Sequence, residues 1–91
     1  MKLNIIYDIK LTPQAESIYL HLDVKLRERI DRVFEQFEQG AFHHRNIRSL
    51  RGRYSGKLRY RMGKWRIIFQ IDWENKMVWI DAITARGGAY R

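Results

Sequence analysis

At Gly40 the spacing of apolar residues along this chain changes, and that change constrains the fold more than any other feature. Before Gly40 they recur every three or four positions; from Leu58 onward they alternate. The first pattern hides its apolar side as a helix, the second as a strand. The chain is therefore expected to be helical first and sheet-forming second.

In the first half, Asp23 is placed to cap a helix in which Leu26, Ile30, Val33, Phe34 and Phe37 share a face. A shorter helix precedes it. Thr12 is its N-cap and Pro13 sits in its first turn, where a missing N–H costs nothing. Ala15, Ile18, Tyr19 and Leu22 form its apolar face, and almost no linker separates the two helices. Ahead of them, Leu3 to Ile9 reads as a leading strand.

In the second half, "AFHHRNIRSLRGRY" reads as a loop or a short extended segment. "GKLRYRM" then sends Leu58, Tyr60 and Met62 to one face and Arg59 and Arg61 to the other. Gly63–Lys64 suits a tight hairpin turn. "WRIIFQID" sets Trp65, Ile67, Phe69 and Ile71 opposite Arg66, Ile68 and Gln70, and "MVWIDAIT" follows after the turn "WENK". The expected class is α+β, a helical hairpin packed on a small, mainly antiparallel sheet. The helices should cover the face of Trp65, Ile67 and Phe69. At 91 residues this is a single domain over 1–91, with one modest core.

The formal charge of +8 is unevenly placed. No carboxylate lies between Glu38 and Asp72, whereas Arg45, Arg48, Arg51, Arg53, Lys57, Arg59, Arg61, Lys64 and Arg66 all do. Such asymmetry points to a polyanionic partner such as nucleic acid, or to an acidic protein that masks the patch. An ordinary solvated surface is the plainer alternative. Period two puts Arg59 and Arg61 on one strand face, and Arg66 can join them across the hairpin. Clustered guanidinium groups repel one another unless an anion, usually phosphate, or solvent lies among them. There is no cysteine, hence no disulfide and no thiolate metal site. No carboxylate cluster offers a metal site either, so no cofactor is expected. Nothing approaches a membrane span or a signal peptide, and the expectation is a cytoplasmic protein without a membrane partner.

The run "GKLRYRMGKWRIIFQI", followed by "ITARGGAY", is similar to the signature region of the RelE/ParE toxin superfamily, the small basic toxins of bacterial type II toxin–antitoxin pairs. The resemblance extends over essentially the whole chain and implies the RelE-like fold. Its RelE-like branch implies a metal-independent endoribonuclease, an mRNA interferase that cuts the messenger in the ribosomal A site with the RNA's own 2′-hydroxyl as nucleophile. Matched onto this sequence, the central-strand positions of that site are Arg59, Arg61 and Arg66, the arginine after the last strand is Arg86, and the tyrosine is Tyr90. Arg61 and Arg86 would clamp the transferring phosphoryl group, with Arg66 close by. Tyr90 would act either as a base helped by surrounding cations or as a platform for a nucleobase. Arg45, Arg48, Arg51, Arg53, Lys57 and Lys64 would touch RNA backbone. The resemblance also implies a cognate antitoxin, the 70S ribosome and mRNA as partners, with operator DNA reached only through the antitoxin. Two other readings stand beside it: a ParE-like inhibitor of DNA gyrase without nuclease chemistry, and a non-catalytic RNA-binding module. His43 and His44 suggest a general base, but adjacent histidines in an arginine-rich loop more often touch solvent or RNA backbone, and with Phe42 beside them one of the two can simply cap the core. Tyr54 is expected to pack beneath its loop, with stacking on a nucleobase as the alternative.

Overall fold

The computed structural model describes residues 5–85. Strand β1 (Asp8–Leu11) leads into helices α1 (Pro13–His21) and α2 (Val24–Glu38). Strand β2 (Ile47–Ser49) and a 3₁₀ turn (Gly52–Tyr54) follow, then β3 (Leu58–Met62), β4 (Trp65–Asp72) and β5 (Met77–Ala85). The five strands form one sheet in the order β1-β5-β4-β3-β2. The pair β1–β5 is parallel and the others are antiparallel.

Local chemistry sets the helix ends where the sequence places them. The Thr12 hydroxyl accepts the Ala15 N–H at 3.3 Å, and Asp23 accepts the Leu26 N–H at 2.9 Å. Gly40, at φ 74°, closes α2. Its N–H donates to the Phe37 carbonyl and the Ala41 N–H to the Gln36 carbonyl, the paired bonds of a Schellman ending.

The leading strand departs from its expected position. It runs from Asp8 to Leu11, with Leu3 outside the described residues. The N–H groups of Ile6 and Tyr7 donate to the Glu38 carbonyl at 2.8 and 3.0 Å. The backbone there serves the end of α2 instead of a neighbouring strand, which local β-propensity cannot reveal.

The helices pack on the expected sheet face. Ile30, Val33 and Phe37 of α2 are buried with Ile67, Phe69, Val78, Ile80 and Ile83. The Phe37 ring lies 4.3 Å from that of Phe69. On the other face a smaller cluster forms from Leu50, Ile68 and Ala82, with Tyr54 packed against it. That cluster depends on an irregularity in β5. Ile68 pairs with Ala82 but Phe69 pairs with Ile80, so Asp81 is an extra residue, a β-bulge. Ala82 thereby joins Ile68 on the far face, while Ile80 and Ile83 both stay under the helices.

Candidate nucleic-acid interface

The sheet face away from the helices carries the arginines. Gly63, at φ 62°, takes the first position of the two-residue β3–β4 turn, and the short turn locks the register. In that register Arg61 stands directly across from Arg66, which pairs in turn with Thr84 of β5. Arg48 of β2 stands directly across from Arg59. Four guanidinium-bearing residues thus share one patch over β2, β3 and β4. Directly opposed residues on a sheet have Cβ atoms about 5 Å apart, close enough for like charges to destabilise the pair.

Arg59 registers the crowding. Its pKa is pushed below the ordinary arginine value, first by burial and then by the charges of Arg66, Arg48 and Arg61. It remains charged near neutral pH, because guanidinium gives up its proton only far above that range. Arg66 is half-buried and folds back over the hairpin, its Nη1 donating to the carbonyls of Gly63 at 3.3 Å and Trp65 at 3.2 Å. Arg48 and Arg61 are exposed. Among the described residues no carboxylate stands in ion-pair contact with any of the four. A cationic sheet face whose arginines have no carboxylate partner among the described residues fits an external polyanion better than a small molecule.

The remaining basic positions are dispersed around it. Arg51 and Arg53 are exposed on the loop that follows β2, Lys64 is exposed in the β3–β4 turn, and Arg45 is exposed ahead of β2. Lys57 makes an ion pair of 2.8 Å with Asp81 on the bulge. Asp81 also accepts from the Gln70 amide at 3.0 and 3.2 Å. The spacing of Lys57 predicts an outward cation, and only the bulge brings a carboxylate beside it. No local sequence signal marks the bulge, because Val78, Ile80 and Ala82 keep the alternation while Ile83 suits the other register.

Arg86 and Tyr90 lie outside the described residues. Ala85, the last described residue, pairs with Trp65, one residue from the Arg61–Arg66 pair. His44 sits away from the patch, its ring stacked on Tyr60 at 5.4 Å and its Nδ1 accepting the Asn46 N–H at 3.1 Å. Tyr60 points into the helix-covered core, so His44 caps that core. Among the described residues no three metal-ligating side chains come together.

On the helix side, a groove of about 680 Å³ opens between β1 and α2. It is lined by Ile9, Leu11 and Phe34 together with Asp31, Glu35 and Glu38. The acids of this groove and the four clustered arginines therefore lie on opposite sides of the sheet. No described helix is long and apolar enough to cross a membrane.

Comparison with known proteins bears on both fold and family. Residues 9–90 match the family model described as ParE toxin of type II toxin-antitoxin system, parDE. Among solved structures, the fold is similar to the archaeal RelE–RelB complex from Pyrococcus horikoshii OT3, with a TM-score of 0.79 and 22% identity, covering 93% of this chain and 100% of that one. It is similar to the RelBE2 toxin–antitoxin complex from Mycobacterium tuberculosis, with a TM-score of 0.75 and 22% identity over 90% of this chain and 100% of that one. A YoeB/ParE toxin from Agrobacterium tumefaciens gives a TM-score of 0.76 at 13% identity, covering 87% and 98% of the two chains. No curated protein sequence matches.

Proposed function

Since this chain belongs to the ParE toxin family of type II toxin–antitoxin systems, within the RelE/ParE/YoeB superfamily, we propose that it is a toxin acting on RNA: a ribosome-dependent endoribonuclease cleaving mRNA in the A site. The observation that carries this reading is the convergence of Arg48, Arg59, Arg61 and Arg66 on one sheet face, with no carboxylate among the described residues in ion-pair contact with them. Attack by a 2′-hydroxyl on the adjacent phosphate concentrates negative charge on the phosphoryl oxygens. Fixed guanidinium groups that hold those oxygens more tightly in the transition state lower the barrier. Arg61 and Arg66 supply the clamp and Arg59 reinforces it. Arg86 and Tyr90, assigned to the site by family resemblance, complete it in this reading. Arginine does not shuttle protons near neutral pH, so proton transfer falls to Tyr90 or to the RNA and water around it.

Relatives of similar fold are found in complexes with antitoxins, as in the Pyrococcus RelE–RelB pair. A cognate antitoxin is the partner we assign here, its acidic part covering the arginine face and its apolar part lying in the groove beside β1.

The matched family model is the ParE one, and this favours a second reading, inhibition of DNA gyrase without nuclease chemistry. One experiment separates the two. Purified protein freed of antitoxin is added to a translation reaction, the 5′ ends of the messenger are mapped by primer extension, and gyrase supercoiling is followed in parallel. The nuclease reading expects new ends within A-site codons, weakened about 10²–10³-fold by Arg61→Ala, the size of effect seen when one transition-state donor is removed. Intact messenger with blocked supercoiling would overturn it.

A further inference from the structure

The loop between β2 and β3 lies across the middle of the far face. Leu50 and Tyr54 pack on Ile68 and Ala82, and the Leu50 N–H closes the loop by donating to the Lys57 carbonyl at 2.9 Å. Gly52 and Gly56, at φ 66° and 92°, allow the tight turns inside it. The loop holds Arg51 and Arg53 outward, on the same side of the sheet as Arg48, Arg59, Arg61 and Arg66. Its apolar anchor is small, and Leu50 is its most buried member. The polar anchor is the ion pair of Lys57 with Asp81, whose side chains are 32% and 12% exposed. Asp81 stands there because of the bulge. Gln70 fixes the carboxylate from β4, and the Thr12 hydroxyl donates to the Asp81 backbone carbonyl at 2.8 Å from the other end of the chain.

A carboxylate this close to a face that binds a polyanion is electrostatically adverse for that binding, unless it positions something of greater value. We propose that Asp81 is a positioning residue: through its ion pair with Lys57 it latches the 50–57 loop onto the arginine face, so that Arg51 and Arg53 and the strand arginines grip one continuous stretch of single-stranded RNA backbone. This rests on the RNA reading given above. It makes a prediction opposite in sign to charge counting. Removing an acid from a nucleic-acid-binding protein ordinarily strengthens binding. Here Asp81→Asn frees the loop and weakens it.

The test uses the full chain and a short 2′-O-methyl oligoribonucleotide, which lacks the attacking hydroxyl and stays intact. Affinity is measured across a range of salt concentrations for the wild type, Asp81→Asn, the charge swap Lys57→Asp with Asp81→Lys, and Arg51→Ala with Arg53→Ala. Each single-strand phosphate contact contributes roughly 0.7 to the slope of log K against log salt, so losing both loop arginines lowers the slope by about 1.4. Asp81→Asn should reproduce most of that loss and weaken binding at least about threefold at low salt, since two backbone contacts are released. The swap should restore affinity towards the wild type. Independently of RNA, limited trypsin digestion with mass-spectrometric mapping should show faster cutting after Arg51 and Arg53 in Asp81→Asn, and the wild-type rate in the swap. Circular dichroism and the thermal midpoint establish that each variant is folded.

Unchanged trypsin cutting in folded Asp81→Asn would overturn the latch. Faster cutting with equal or tighter RNA binding would overturn the role of the loop in the RNA grip. Absence of salt-dependent RNA binding by the wild type would overturn the RNA reading instead, and the trypsin result would still decide the latch.

Discussion

Replacing Arg59 with glutamine should make the free protein more stable while weakening its hold on an anion. Arg59 faces Arg48 directly, is diagonal to Arg66 and lies two residues from Arg61 along the same strand. Guanidinium groups at such positions sit roughly 8 Å apart, so in water each pair costs about 0.5 kcal/mol, or about 1.5 for the three. Screening at 0.1 M salt, with a Debye length near 10 Å, leaves about 0.7 kcal/mol in total, and at 1 M about 0.1. Near 0.1 M salt the thermal midpoint of Arg59→Gln should therefore rise by about 3–6 °C, given 4–8 °C per kcal/mol for domains of this size. The gain should shrink towards zero in 1 M sodium chloride. Arg59→Lys keeps the charge and should show little of it. Scanning calorimetry of the three proteins at two salt concentrations, with oligoribonucleotide affinity in parallel, measures both halves of the effect. A destabilised Arg59→Gln at low salt, or a gain indifferent to salt, would show that the stem packing of Arg59 outweighs its repulsion and that the patch is not under electrostatic stress. Stability surrendered at a cluster of like charges is the usual mark of a face built for a partner.

Two further outcomes follow from the helices. Gly40→Ala should lower stability by about 1–2 kcal/mol in urea melts, because alanine must adopt φ 74° and its Cβ would lie 3.3 Å from Tyr7 Cε1. Tyr19 gives a pH signature: burial, then the hydrogen bond to Asp31 and its charge, opposed by Arg27, push its pKa from 10.0 up to about 12. A group raised in the folded state lends stability that is fully present below pH 10 and is lost as pH rises through 12, so wild type should lose more stability over that window than Tyr19→Phe. Equal losses in the two proteins would remove Tyr19 as the cause.

Much of the fold was legible because it depends on local repetition. The helical spacing around Ile30, Val33 and Phe37, the caps at Thr12 and Asp23, and the alternation in β3 and β4 each dictate an element and its buried face. The opposition of Arg61 and Arg66 was nearly legible too, since a two-residue turn leaves one register. The leading strand was not. Its start depends on Glu38 lending a carbonyl to Ile6 and Tyr7, a contact between residues far apart in the chain.

By itself, then, the sequence determined an α+β domain with helices on one face of a meander and an acid-free, arginine-rich second half. Periodicity and charge are properties of neighbouring residues and need no knowledge of what lies across the fold. Tertiary structure alone decided that Arg48 completes the patch opposite Arg59, that β1 runs parallel to β5, and that Lys57 is held by Asp81. Those depend on which strands meet and on one extra residue in β5, and a bulge has no local signature when either register would bury an apolar side chain.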